Sequence, residues 1–136
     1  MFTKLWWDQR RFEFEMFTSR YVVREASMGD PTAATARLAV LNEIELIELE
    51  QDIERVADAL LAETALPAKA KVDAYHVAAA ACNGLEFLMT WNCKHLANAH
   101  LWSKIERVCA DAGFTSPRIC TPYELLGDAY DPRPDR

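Results

Sequence analysis

Lys69-Ala70-Lys71-Val72-Asp73-Ala74-Tyr75-His76-Val77-Ala78-Ala79-Ala80-Ala81-Cys82-Asn83-Gly84-Leu85-Glu86-Phe87-Leu88-Met89-Thr90-Trp91 is the stretch on which the fold turns. Lys69 to Cys82 reads as a helix, nearly all alanine after Tyr75, and Asn83-Gly84 is a good C-terminal signal because glycine adopts the left-handed conformation that ends helices. Phe87 to Trp91 then runs without polar alternation, as expected of an interior parallel strand covered on both faces. A buried helix feeding a buried strand is half of an α/β unit. The flanks show whether the alternation continues.

Upstream, Thr3 to Phe17 places Leu5, Trp6, Phe12 and Met16 near one helical face, with Trp7 and Phe14 forming a second apolar ridge. Two such ridges predict that Trp6, Trp7 and Phe14 do not all bury within one copy, which favours self-association into a homo-oligomer. Ser19-Arg20-Tyr21-Val22-Val23 reads as a short strand ending at Glu25-Ala26-Ser27. Asp30-Pro31 starts a helix through Leu41, Ile44 to Leu49 reads as a second strand, and Ile53, Val56, Ala57, Leu60 and Leu61 mark another helix before Pro67. Downstream, His95 to Ala112 is helical up to Gly113, Arg118 to Cys120 is a short strand, and Pro122 to Leu126 a terminal helical turn. Four short strands separated by helices predict a three-layer α/β/α fold with a parallel sheet, whose ligands bind outside the carboxyl ends of the strands.

Composition sets the class. A length of 136 residues, 51% of them hydrophobic and 26% charged, is that of one globular domain with a real core. No apolar stretch is long enough to suggest a membrane span and the first residues do not resemble a signal peptide, so a cytoplasmic protein without membrane contact is expected. Cys82, Cys93, Cys109 and Cys120 form no CxxC pair and are expected to be free and mostly buried. A formal charge of -6 argues against bulk electrostatic capture of nucleic acid, yet a site that holds divalent metal must itself be acidic.

Three oxygen-bearing side chains could then converge on one edge of the sheet. Glu25 follows the first strand, Asn92 follows the interior strand, and Asp73 lies in the first turn of the alanine-rich helix. Taken alone, Asp73 is equally well a first-turn acid favoured by the helix dipole, and Glu25 a solvated acid. His76, one turn beyond Asp73, could face the same cleft or be a hydrogen-bonded helix histidine. Cys93, His95 and His100 lack zinc-finger spacing.

At this point the chain resembles a known family. Tyr21-Val22-Val23-Arg24-Glu25-Ala26-Ser27, Val72-Asp73-Ala74-Tyr75-His76-Val77-Ala78 and Leu88-Met89-Thr90-Trp91-Asn92-Cys93-Lys94-His95 look like successive site regions of PIN-domain proteins, the fold of VapC-like toxins. The ending Ile119-Cys120-Thr121-Pro122-Tyr123-Glu124-Leu125 extends the resemblance over nearly the whole chain. It implies a Mg²⁺- or Mn²⁺-dependent ribonuclease, often held inactive by a cognate antitoxin. By the resemblance, Glu25 and Asp73 are metal-binding carboxylates and Asn92 stands at a further catalytic position where many relatives have Asp. Thr90, His76 and Lys94 are candidates to orient the site or touch RNA.

One departure accompanies the resemblance. A PIN domain begins with a central strand bearing its first acidic residue, no such strand precedes Thr3, and Asp8 lies mid-helix. The expectation is an N-terminally incomplete PIN-like domain over residues 1–127, impaired in cleavage, with a disordered tail over 128–136. A non-catalytic PIN-like module that binds an antitoxin or another subunit, and a fragment without stable function, stand beside the enzyme as alternatives.

Overall fold

The computed structural model describes residues 7–47, 51–64, 71–89 and 99–120. The elements run β1 (Phe17–Thr18), α1 (Arg20–Ala26), α2 (Pro31–Leu41), β2 (Glu45–Leu46), α3 (Ile53–Thr64), α4 (Lys71–Cys82), β3 (Phe87–Met89), α5 (Ala99–Asp111) and β4 (Arg118–Cys120). The protein is therefore mixed α/β with short parallel strands. The expected terminal turn and tail fall beyond Cys120, outside the described residues.

Strand direction agrees with expectation and strand continuity does not. β1 runs parallel to β2, with Phe17 opposite Glu45 and Thr18 opposite Leu46. β3 runs parallel to β4, with Leu88 opposite Ile119. The described strands make two separate pairs rather than one four-stranded sheet. With two residues each, β1 and β2 offer barely one step of ladder, too little to propagate pairing. β3 has one partner among the described residues, and its side chains are only half-buried rather than covered on both faces.

Two upstream expectations are corrected. The helix expected from Thr3 to Phe17 is broken: residues 7–9 are helical, Arg11–Glu13 forms a single 3-10 turn, and Phe14 is extended at φ −125°, ψ 146°. The Arg10 guanidinium meets both Glu13 carboxylate oxygens at 3.0 Å, which fits this tighter turn. Leaving the helix brings the Phe14 ring edge-on to Phe87, with centroids 6.0 Å apart. The second correction is that Tyr21 to Val23 is helical, not a strand. Ser19 is extended at φ −127°, ψ 163°, and its hydroxyl accepts the Val22 N–H at 3.2 Å, capping α1. The adjacent valines favour strand only weakly, and this cap overrides them. The strand sits instead just upstream, at Phe17–Thr18.

Other termini form as their residues dictate. Asp30 accepts the Ala33 N–H at 2.9 Å with Pro31 opening α2. Gly84 ends α4 at φ +67°, with Leu85 N–H donating to Ala80 C=O and Gly84 N–H to Ala81 C=O, the paired bonds of a Schellman stop. Arg37 of α2 donates to the Ala26 and Met28 carbonyls at 3.1 and 2.7 Å, tying α2 to the end of α1.

The core lies between α3, α4 and α5. Ile53, Val56 and Leu60 of α3, Val77 and Ala78 of α4, and Ile105, Val108 and Cys109 of α5 are buried together. α3 and α5 each turn one apolar stripe inward, whereas Asp73 to Cys82 of α4 are buried or half-buried all round. The run Ala78 to Ala81 is buried, and its small side chains let neighbouring backbones approach closely. Cys82, Cys109 and Cys120 are free and buried as expected, while Cys93 lies outside the described residues.

Candidate functional site

Packing of α1 against α4 positions the site. Glu25 belongs to the last turn of α1, not to the end of a strand, and its side chain is 61% exposed. His76 of α4 is 16% exposed, and its Nε2 lies 3.3 Å from Glu25 Oε2. Its other ring nitrogen, Nδ1, is buried without a hydrogen-bond partner among the described residues. A carboxylate oxygen accepts, so the Nε2–H donates to Glu25 Oε2. The two readings of His76 thus merge: it is hydrogen-bonded, and its partner is the candidate carboxylate.

Asp73 stands in the first turn of α4 and is only 7% exposed. Residues three apart on a helix share a face with Cβ atoms ~5–6 Å apart, so Asp73 lies about one turn from the imidazole that touches Glu25. The two predicted carboxylates are therefore carried by adjoining helices, with His76, three residues after Asp73 on α4, touching Glu25. Asn92, Thr90 and Lys94 lie outside the described residues. Among the described residues no three His, Cys, Asp or Glu side chains are grouped to hold a metal ion. The pair present nevertheless suits Mg²⁺ or Mn²⁺ in chemical type, because hard cations take carboxylate oxygens and keep several waters.

Beside Glu25 opens a cavity of about 490 Å³ lined by Arg20, Tyr21, Arg24, Glu25, Met28, Glu54 and Tyr75. The Tyr21 and Tyr75 rings meet at a centroid distance of 4.9 Å and a tilt of 40°. Arg20 donates to the Tyr21 hydroxyl at 3.2 Å, its guanidinium 5.2 Å from that ring. Burial pushes the Tyr75 phenol above its ordinary pKa, and the nearby Glu54 and Asp58 carboxylates and then Tyr21 add to the rise. The phenol thus stays a neutral hydrogen-bonding group at physiological pH. This wall is not legible when Tyr21 to Val23 is read as a strand. Read at helical spacing, Arg20 and Arg24 fall one turn apart and Tyr21 lies one turn before Glu25.

No helix among the described residues is long and apolar enough to cross a membrane. No protein-family model, curated protein or solved structure matches the chain.

Proposed function

We propose that this chain is a metal-dependent endoribonuclease of the PIN type, similar to VapC-like toxins and impaired in cleavage, with a three-layer α/β/α arrangement and a cytoplasmic place of action. The observation that carries the reading is the link from Glu25 through His76 to the turn that holds Asp73. Glu25 and Asp73 are assigned as the ligands of Mg²⁺ or Mn²⁺. When bound, the ion supplies Lewis acidity and a water of lowered pKa for attack on a phosphodiester. The chain's own residues prepare that site. His76 holds one oxygen of Glu25, limiting the rotamers of an otherwise exposed side chain. Asp73, largely shielded from water, offers a carboxylate fixed by the buried helix that bears it. Asn92 contributes a neutral oxygen at the position the resemblance gives it, with Thr90 and Lys94 as nearby candidates.

The test is cleavage of single-stranded RNA by the full chain in Mg²⁺, Mn²⁺ and EDTA, alongside Asp73→Asn and Glu25→Gln. Metal-dependent cutting that either change lowers by at least about a hundredfold supports the reading, since removal of a preorganised charge-stabilising group typically costs that much. Cutting that survives Asp73→Asn removes it, and no cutting in any metal favours the non-catalytic module described next.

A second reading is favoured by a different observation. Phe12 is 78% exposed, and Met28, Val40 and Leu46 are exposed as well. Such side chains suit a module that binds an antitoxin, another subunit or a second copy without catalysis. Light scattering that finds a dilute monomer argues against self-association.

A further inference from the structure

We infer that the cavity beside Glu25 is a subsite for one unstacked nucleotide of single-stranded RNA, bound next to the phosphate that is cut. The inference rests on the nuclease reading and adds to it where the strand lies. The volume, about 490 Å³, is in the usual range of small-molecule sites. Its wall joins the two features by which proteins hold a single strand. Arg20 and Arg24, a turn apart on α1, present guanidinium groups to phosphate oxygens. Tyr21 and Tyr75, packed on each other at 4.9 Å, both line the cavity, so an unstacked base can lie against their aromatic wall, which a base inside a duplex cannot do. Glu25 lines the same cavity, so a nucleotide held there has its backbone beside the candidate metal ligand. Glu54, on the opposite chemical footing from the arginines, accepts N–H donors from a base edge and disfavours a second phosphate at that end.

This arrangement fixes polarity within the cavity, with phosphate toward α1 and base toward Tyr75 and Glu54. It also accounts for nucleic-acid binding by a chain of net charge -6, because recognition rests on one local pair of arginines and on stacking rather than on overall charge.

The experiment is fluorescence anisotropy of a short labelled single-stranded RNA with the full chain, in Ca²⁺ and again in EDTA. Arg24→Gln, an exposed change that leaves the core alone, should weaken binding several-fold and lower the log–log salt slope by about one. Tyr75→Leu should weaken it roughly tenfold, whereas Tyr75→Phe, which keeps the ring, should bind within about twofold of the unaltered chain. The matching duplex should bind more weakly than the single strand. Thermal melts identify a Tyr75→Leu protein that has lost its fold, in which case Arg24→Gln decides. Unaltered affinity in Arg24→Gln, preference for the duplex, or no RNA binding in either buffer overturns the subsite. Because binding is read without cleavage, the two ideas fail separately. RNA that binds through Arg24 and Tyr75 but is cut in no metal leaves the subsite and removes the nuclease. Cutting with affinity indifferent to these residues does the reverse.

Discussion

Every buried member of the main apolar cluster, from Ile53 to Cys109, comes from α3, α4 or α5, whereas Ala34 is the one buried apolar side chain that residues 7–47 supply. The second region is held by polar devices instead: the Ser19 cap, the Asp30 cap, and the Arg37 guanidinium closed on the carbonyls after α1. The difference matters because the candidate site straddles it. Asp73 and His76 ride on the dry, densely packed region, and Glu25 on the thinly packed one. Such a division gives one partner a fixed position and leaves the other free to adjust, the lower local stability expected of elements that meet ligands.

The comparison can be broken in four places. The largest effect should appear at Cys109, where burial pushes the thiol up to about 11 despite a hydrogen bond from Ser116 that acts the other way. At neutral pH the thiol should react with an aromatic disulfide at least about a hundredfold more slowly than in the unfolded chain, because only the thiolate attacks. The same shift has a consequence for stability. The folded pKa lies above the unfolded one, so this stabilising contribution is complete below the unfolded pKa of 9.0 and is lost as pH rises towards 11. Denaturant midpoints measured across the alkaline range should fall in that window. Fast labelling in the native state would mean that the α3–α5 region is not dry.

Next in size, Leu60→Ala removes a fully buried side chain and should cost about 2–5 kcal/mol in urea unfolding. Smaller, Ser19→Ala removes the cap of α1 and should cost about 1 kcal/mol, with faster hydrogen exchange confined to α1 and its neighbours. Smallest, Val40→Ala on exposed α2 should change stability by less than about 0.5 kcal/mol, since surface changes rarely do more. A Val40 variant as damaging as Leu60→Ala would erase the contrast.

What the sequence made legible follows the same division. Where local signals agree with tertiary packing, as at Asp30-Pro31, Gly84, Gly113 and the Arg118–Cys120 strand, the elements form where they were expected. Where a single capping hydroxyl opposes β-branched propensity, at Ser19 to Val23, the cap prevails and the segment is helical. Glu25, Asp73 and His76 were found as candidates because each is a chemically distinctive residue near an element terminus. The contact of His76 with Glu25 is less legible, since it depends on how α1 lies on α4. The Arg20, Tyr21, Arg24 and Tyr75 wall was invisible for a simpler reason: a strand alternates faces at every residue, so the wrong element scattered side chains that a helix gathers.

The alanine run of α4 has an entropic consequence. Alanine loses no rotamer freedom on burial, whereas a leucine loses about 0.5–1 kcal/mol, so Ala78 to Ala81 are ordered at the cost of backbone freedom alone. Few side-chain conformers are therefore left to interconvert around the helix that bears Asp73 and His76, and heating the native protein should disorder the surroundings of those two groups later than those of Glu25.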